Sequence, residues 1–98
     1  MSEYILSNKA QQDLSDIWEY TRDVWSERQA EKYYYMLLDI CQDLAEKKLL
    51  GKYYSQLKGD IWGFKAGSHI ILFRQQSAEH IEITRIVHAG MDLKKQSI

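Results

Sequence analysis

From Asn8 to Trp25 the apolar and small side chains fall at Ala10, Leu14, Ile17, Trp18, Thr21 and Trp25. Steps of three and four lay one stripe along a 3.6-residue period, so the pattern predicts an amphipathic helix with Gln12, Asp13, Asp16, Glu19 and Asp23 facing water. Ser7-Asn8 offers an N-cap, and Gln11, three residues beyond Asn8, sits where a capping box places its return partner. Ser26 and Gln29 repeat that signature. A second stripe follows at Ala30, Tyr33, Tyr34, Leu37, Cys41, Leu44 and Ala45. Two helices this close in sequence form a hairpin. Lys47-Lys48 and Gly51 supply the positive charge and the glycine that suit a helix C-terminus.

The period then changes. Tyr4-Ile5-Leu6 is a short β-prone run ahead of the helices, and Ile61–Ala66 and His69–Arg74 are strands joined by Gly67-Ser68. Glycine first in a two-residue turn fits type II′, which needs positive φ there. A turn near Gln76-Ser77-Ala78 leads to the β-branched run Ile81–His88. The order β-α-α-β-β-β, without βαβ alternation, predicts an α+β fold: a helix hairpin packed on one face of an antiparallel sheet, the other face open for binding. The expected core between the layers is Leu14, Ile17, Trp18, Leu37, Cys41 and Leu44, with Trp25 also on the buried stripe. A length of 98 residues allows one domain, 1–98.

Composition and charge narrow the function classes. No apolar run reaches membrane-span length, and the opening MSEYILSNKA has neither the basic region nor the hydrophobic stretch of a signal peptide, so the expected location is cytoplasmic. The lone Cys41, on a buried stripe, suits a reducing compartment. A net charge of −1 argues against a nucleic-acid coat protein, and neither direct nucleic-acid binding nor membrane association is expected. Charge is unevenly placed: residues 8–50 carry six Lys/Arg against nine Asp/Glu, and residues 51–98 carry seven against four.

Glycine-rich phosphate loops, paired cysteines, HExxH and GxSxG are all absent, and His69, His80 and His88 lack metal-ligand spacing, so no metal or cofactor is expected. The group with chemical potential is Lys65, Arg74, Arg85 and His88 on the three C-terminal strands. Converging on one sheet face, they could bind phosphate or support acid–base cleavage of RNA; dispersed, they are ordinary strand-end charges. Arg85 shares its strand face with Ile81, Ile83 and Val87, which requires either a partner within an apolar face or a bulge. Tyr33-Tyr34-Tyr35 wraps more than one helix face, so at least one ring is expected outside the core. Asp39 and Asp43, one turn apart, read as a solvated face.

The most specific stretch is Ile81-Glu82-Ile83-Thr84-Arg85-Ile86-Val87-His88-Ala89-Gly90-Met91-Asp92. It resembles the C-terminal strand and Met-Asp ending of the ParE family within the RelE/ParE toxin superfamily. Ala10–Tyr20, Gln29–Tyr33 and Gly67–Arg74 are similar to that family's first helix, second helix and central hairpin, in the same order. The resemblance implies a toxin that inhibits DNA gyrase, serves plasmid or chromosomal stability, and is neutralised by an antitoxin encoded beside it. Ribosome-dependent RNases of the superfamily are strongly basic and often end in a Tyr-bearing motif, whereas Ala89 follows His88 here. The chain departs from the ParE pattern where Gly59-Asp60-Ile61-Trp62 lacks an arginine, and in having no proline.

Three readings follow. In the first, a gyrase inhibitor acts by protein binding and has no catalytic residues; Trp62, Arg85, His88, Met91 and Asp92 are its candidate target contacts, and Tyr53, Tyr54 and Trp62 its candidate antitoxin contacts. In the second, a RelE-type mRNA endoribonuclease uses Lys65, Arg74, Arg85 and His88. In the third, an inactive toxin fold survives as a binding module. The sequence leaves the oligomeric state open.

Overall fold

The computed structural model describes residues 2–90, so Met91 and Asp92 lie outside the described residues. The elements are β1 (Glu3–Leu6), α1 (Asn8–Val24), α2 (Glu27–Ala45), β2 (Lys52–Tyr53), β3 (Trp62–Ala66), β4 (His69–Gln75) and β5 (His80–His88).

Both helices start on serine. The Ser7 hydroxyl accepts from the Ala10 amide, and the Ser26 hydroxyl accepts from the Gln29 amide. Capping falls on Ser7, not Asn8, and Gln11 reaches back to the Leu6 carbonyl instead of closing a capping box. A two-residue connection, Trp25-Ser26, folds α2 back along α1.

The sheet order is β1-β5-β4-β3-β2. The expected architecture is present, with two additions: a two-residue edge strand, and a parallel pairing of β1 with β5 (Tyr4 opposite Ile81, Leu6 opposite Ile83) beside the antiparallel remainder. Gly67 turns the β3–β4 hairpin at φ 58°, as the sequence requires. Between β4 and β5 the register slips: Leu72 faces Arg85 while Phe73 faces Ile83, which leaves Thr84 as the extra residue of a bulge.

The helices cover one sheet face. Leu14, Leu37, Cys41 and Leu44 pack on Ile71, Phe73, Ile81, Ile83 and Ile86. Burial lifts the Cys41 thiol pKa to about 12, so the thiol stays protonated and inert. The opposite face is only partly open, because the segment after β2 folds over it and buries Leu57 and Ile61 against Leu72 and Val87. Tyr54 lies so close over Gly63 that a Cβ there would meet its ring at 2.6 Å.

Three expectations about α1 change. Ile17 and Trp18 are half-buried, and Arg22 stacks 5.1 Å from the Trp18 ring centroid. Trp25 is 72% exposed: it caps the helix C-terminus beyond the reach of the sheet, where a stripe position no longer has a layer to face. Asp13, placed with the solvated residues by its sequence context, points inward.

Leu37 is fully buried at the centre of the inter-layer core. Leu37→Ala is expected to lower stability by roughly 2–5 kcal/mol, measured as a shift in the denaturant midpoint at unchanged slope.

Candidate functional site

The β5 bulge and the first two turns of α1 form one polar junction. β1 stops at Leu6, so beyond Ile83 the edge of β5 turned away from β4 has no strand beside it. Side chains from the chain that follows β1 take over: the Ser7 hydroxyl donates to the Thr84 carbonyl, and Asp13 Oδ2 accepts from the Ile86 amide at 2.8 Å. The same carboxylate holds Arg85 with two parallel bonds, Nε to Oδ2 at 2.8 Å and Nη2 to Oδ1 at 3.0 Å. Both side chains are largely buried (19% and 13% exposed), and the bonding raises the arginine pKa further. Both accounts open to Arg85, a bulge and a partner, therefore apply.

This geometry places the four candidate RNase groups. Arg85, which the bulge places opposite Leu72 of the outer apolar cluster, is committed to Asp13 of α1. Arg74 lies on the outer face, ion-paired with Glu82 at 2.8 Å. Lys65, opposite Ile70, is exposed on that same outer face. His88 stands at the end of β5, its ring 5.6 Å from His69 across the ladder. Register thus brings Lys65, Arg74 and Arg85 to one sheet face with His88 at the strand end, but Arg74 and Arg85 are already neutralised by carboxylates.

Two apolar grooves flank the helix layer, one at each end of α2. The first, about 630 Å³, lies between Ile17, Tyr20 and Trp25 on one wall and Tyr33, His69 and His88 on the other. Its floor is a relay of polar aromatic groups. The Tyr33 hydroxyl is 2.7 Å from His69 Nδ1, accepts from the Ser68 amide, and reaches the Ala66 carbonyl at 3.3 Å. Burial first, and His88 second, push the His69 pKa below its ordinary value, with Asp13 opposing more weakly. Neither Tyr33 nor His69 was legible as a pair in the sequence, because their contact depends on α2 crossing the β3–β4 turn.

The second groove, about 420 Å³, runs between the end of α2 and the β2–β3 edge, lined by Leu44, Leu49, Leu50, Trp62, Phe73 and Ile81. Leu50 is 78% exposed, and Tyr53 packs edge-on against Trp62 with centroids 5.2 Å apart. Of the three candidate antitoxin contacts, Tyr53 and Trp62 share this end of the molecule. Tyr54 does not join them: it turns to the other sheet face, half-buried over Gly63, with Lys52 5.9 Å from its ring. Leu50 was missed as a binding candidate, since in sequence it reads only as the end of a helix. Among the three tyrosines of α2, Tyr35 is the exposed one.

A helix hairpin laid over one face of a five-stranded sheet of order β1-β5-β4-β3-β2 is the class of α+β fold that this chain defines. Two solved structures share the fold: a chromosomal ParDE system from P. aeruginosa, with TM-score 0.76 and 18% identity over 90% of this chain and 96% of that one, and the toxin–antitoxin complex RelBE2 from Mycobacterium tuberculosis, with TM-score 0.66 and 16% identity over 89% and 96%. The family model for the ParE toxin of the type II toxin–antitoxin system parDE matches residues 4–93. Toxin ParE1 of Mycobacterium tuberculosis and Toxin ParE1 of Caulobacter vibrioides are each 31% identical over 94 residues, 96% of both chains compared. The chain belongs to the ParE toxin family of type II toxin–antitoxin systems.

Asp13→Ala leaves the Ile86 amide and the Arg85 guanidinium without this acceptor, and is expected to cost about 2–4 kcal/mol in chemical denaturation, more than Arg85→Ala, which removes only the guanidinium partner. A second expectation concerns pH. Because His69 is held more readily neutral in the fold than in the unfolded chain, its contribution to stability is fully present above the ordinary histidine pKa of 6.5 and is lost as pH falls below it. Unfolding midpoints measured from pH 8 down to pH 5 are expected to decline less steeply in His69→Phe than in the parent.

Proposed function

We propose that this ParE toxin, one domain over residues 1–98, inhibits DNA gyrase by protein–protein binding in the cytoplasm, contributes to plasmid or chromosomal stability, and is neutralised by a cognate antitoxin. The observation that carries the reading is the engagement of both candidate arginines, Arg74 by Glu82 and Arg85 by Asp13, which leaves Lys65 and His88 without a free arginine beside them. A nuclease needs cations and a general base brought to one phosphate within hydrogen-bond tolerances. Here Arg74 and Arg85 are each tied to a carboxylate, and His88 faces another imidazole. Protein inhibition needs only shaped apolar patches with aromatic anchors, and the described residues form grooves of this kind at both ends of α2.

The ParDE system and the RelBE2 toxin–antitoxin complex among the structural neighbours support an antitoxin partner, and the apolar groove at Leu50 and Trp62, with Tyr53 packed on Trp62, is the surface we assign to it. A segment that orders on binding gains from such a preformed apolar surface beside an edge strand. Trp62, a candidate for both partners, falls on this side. His88, Met91 and Asp92 remain the candidate target contacts, with Arg85 acting through the β5 backbone it helps hold.

Purified protein is expected to block gyrase supercoiling while leaving ribosome-bound mRNA intact, and Trp62→Ala is expected to weaken antitoxin binding by about 2 kcal/mol, read by calorimetry. Cleavage of mRNA at the ribosomal A site, abolished in Arg85→Ala and with supercoiling untouched, would transfer the function to the RelE-type nuclease. Inactivity in both assays together with retained antitoxin binding would identify an inactive binding module.

A further inference from the structure

The two layers carry opposite charge. Strand register fixes which residues share the outer sheet face, the one turned away from the helices. Gly63 lies opposite Lys52 and Leu72, and Lys65 lies opposite Ile70; Leu72 and Ile70 belong to the outer apolar cluster, so Lys52 and Lys65 point the same way. Arg74, two residues after Leu72, joins them and lines a shallow depression of about 370 Å³ with Lys9 and Lys58. Five exposed cations therefore gather here, Lys52, Lys65 and Arg74 on the sheet face and Lys9 of α1 and Lys58 of the loop after β2 at its rim.

Among the described residues their counter-charges are few. Glu82 is engaged by Arg74, and Glu3 lies 3.6 Å from His80 at the β1 edge. Asp60, at the rim, accepts from the Tyr53 hydroxyl. Lys9, Lys58 and Lys65 have no ion-pair partner among the described residues. Between the charges lie half-buried Tyr54 and Ile70 and exposed Ile5. Apart from Lys9 in the first turn of α1, the helices lie on the far side, with eight acidic residues (Asp13, Asp16, Glu19, Asp23, Glu27, Glu31, Asp39 and Asp43) against Arg22, Arg28 and Lys32.

We propose that the outer sheet face, through Lys9, Lys58, Lys65 and Arg74 around an apolar centre, is the surface with which the toxin grips an acidic region of its protein target, apart from the antitoxin groove. The inference rests on the reading of the chain as a protein-binding toxin. Charge complementarity selects the partner: unpaired lysines around a small apolar patch suit a carboxylate-rich protein surface, steering approach and fixing register. A nucleic acid fits less well. A polyanion would meet a molecule of net charge −1, with Glu82, Glu3 and Asp60 interspersed among the cations, where a nucleic-acid surface carries a continuous basic excess.

The test is the full-length double variant Lys58→Glu/Lys65→Glu, with Lys58→Gln/Lys65→Gln as the neutral control. Both sites are exposed, so thermal unfolding should match the parent. Three readouts are taken with each protein: growth arrest after induced expression, inhibition of gyrase supercoiling, and affinity for the co-purified antitoxin. The Glu pair is expected to lose growth arrest and to need at least about tenfold more protein for inhibition, with the Gln pair intermediate and antitoxin affinity unchanged. Growth arrest by the Glu pair equal to the parent's overturns the inference. Arrest lost in the Glu pair, when the parent never inhibits supercoiling, keeps the face and removes gyrase as the target. A parent inert in both assays overturns both. Parent binding to a labelled single-stranded RNA or duplex DNA in 150 mM salt on the order of its potency in arrest, abolished by the Glu pair, would assign the face to nucleic acid instead.

Discussion

Asp13 carries the constraint on which the rest of the arrangement depends. β1 pairs with only the first four residues of the nine-residue β5, and the bulge at Thr84 then turns the strand away just where its neighbour ends. An uncovered run of backbone donors and acceptors so near the core would be costly. The chain answers by leaving β1 directly into α1, so that Ser7 and Asp13, six residues apart, satisfy the Thr84 carbonyl and the Ile86 amide. Arg85 supplies the compensating charge that lets a carboxylate sit there. Replacing the pair by apolar residues could match its stability, but would not mark where the helix must lie. Once α1 is set against β5, the short Trp25-Ser26 link leaves α2 little choice of path. Leu37, Cys41 and Leu44 come down on Ile71 and Ile83, and Tyr33 lands over the Gly67-Ser68 turn.

What was legible in the sequence was whatever is decided locally. Helix positions, serine caps, a glycine-led hairpin and a β-branched final strand all depend on neighbours within a turn or two and are where their spacing put them, whereas the capping box at Gln11 and the far end of the α1 stripe are not. The parallel pairing of β1 with β5 joins residues 77 apart, and four residues of β-prone sequence hold no record of their partner. Asp13 is a subtler case. Periodicity put it on the wet side of α1, and only the oddity of Arg85 on an apolar strand face signalled that a buried anion had to exist somewhere. Tyr53 and Tyr54 show the limit of reasoning by cluster: adjacent in extended chain at the end of β2, they point to opposite faces, so two aromatics that read as one patch serve two surfaces.

Trp25 shows how the surface acquired its grooves. A helix stripe is buried only where a second layer lies beneath it, and α1 runs past the sheet at its C-terminal end. The ring that would have been core is left as the wall of a cleft. At the other end of α2 the same geometry leaves Leu50 and Trp62 beside Phe73. A 98-residue chain with 12% aromatic content has more large rings than one thin core accommodates, and the surplus collects at the two open ends of the layer interface.

That distribution bears on how a toxin of this size can be controlled. A domain this small has little stability to spare, and exposed apolar grooves neither add to it nor favour solubility. In the proposed reading the antitoxin removes one groove from water. A ligand that binds only the folded state stabilises it by about RT ln(1 + [L]/Kd), so the complex is the better-folded form and the free toxin the more labile one. Activity and lability then appear together when the antitoxin is lost. A basic outer face left uncovered in the complex would allow the target to be met before release is complete, whereas a shared site would make the two partners strictly exclusive. The separation of charge onto the sheet and apolar surface onto the ends of α2 is the physical feature that distinguishes these two modes of control.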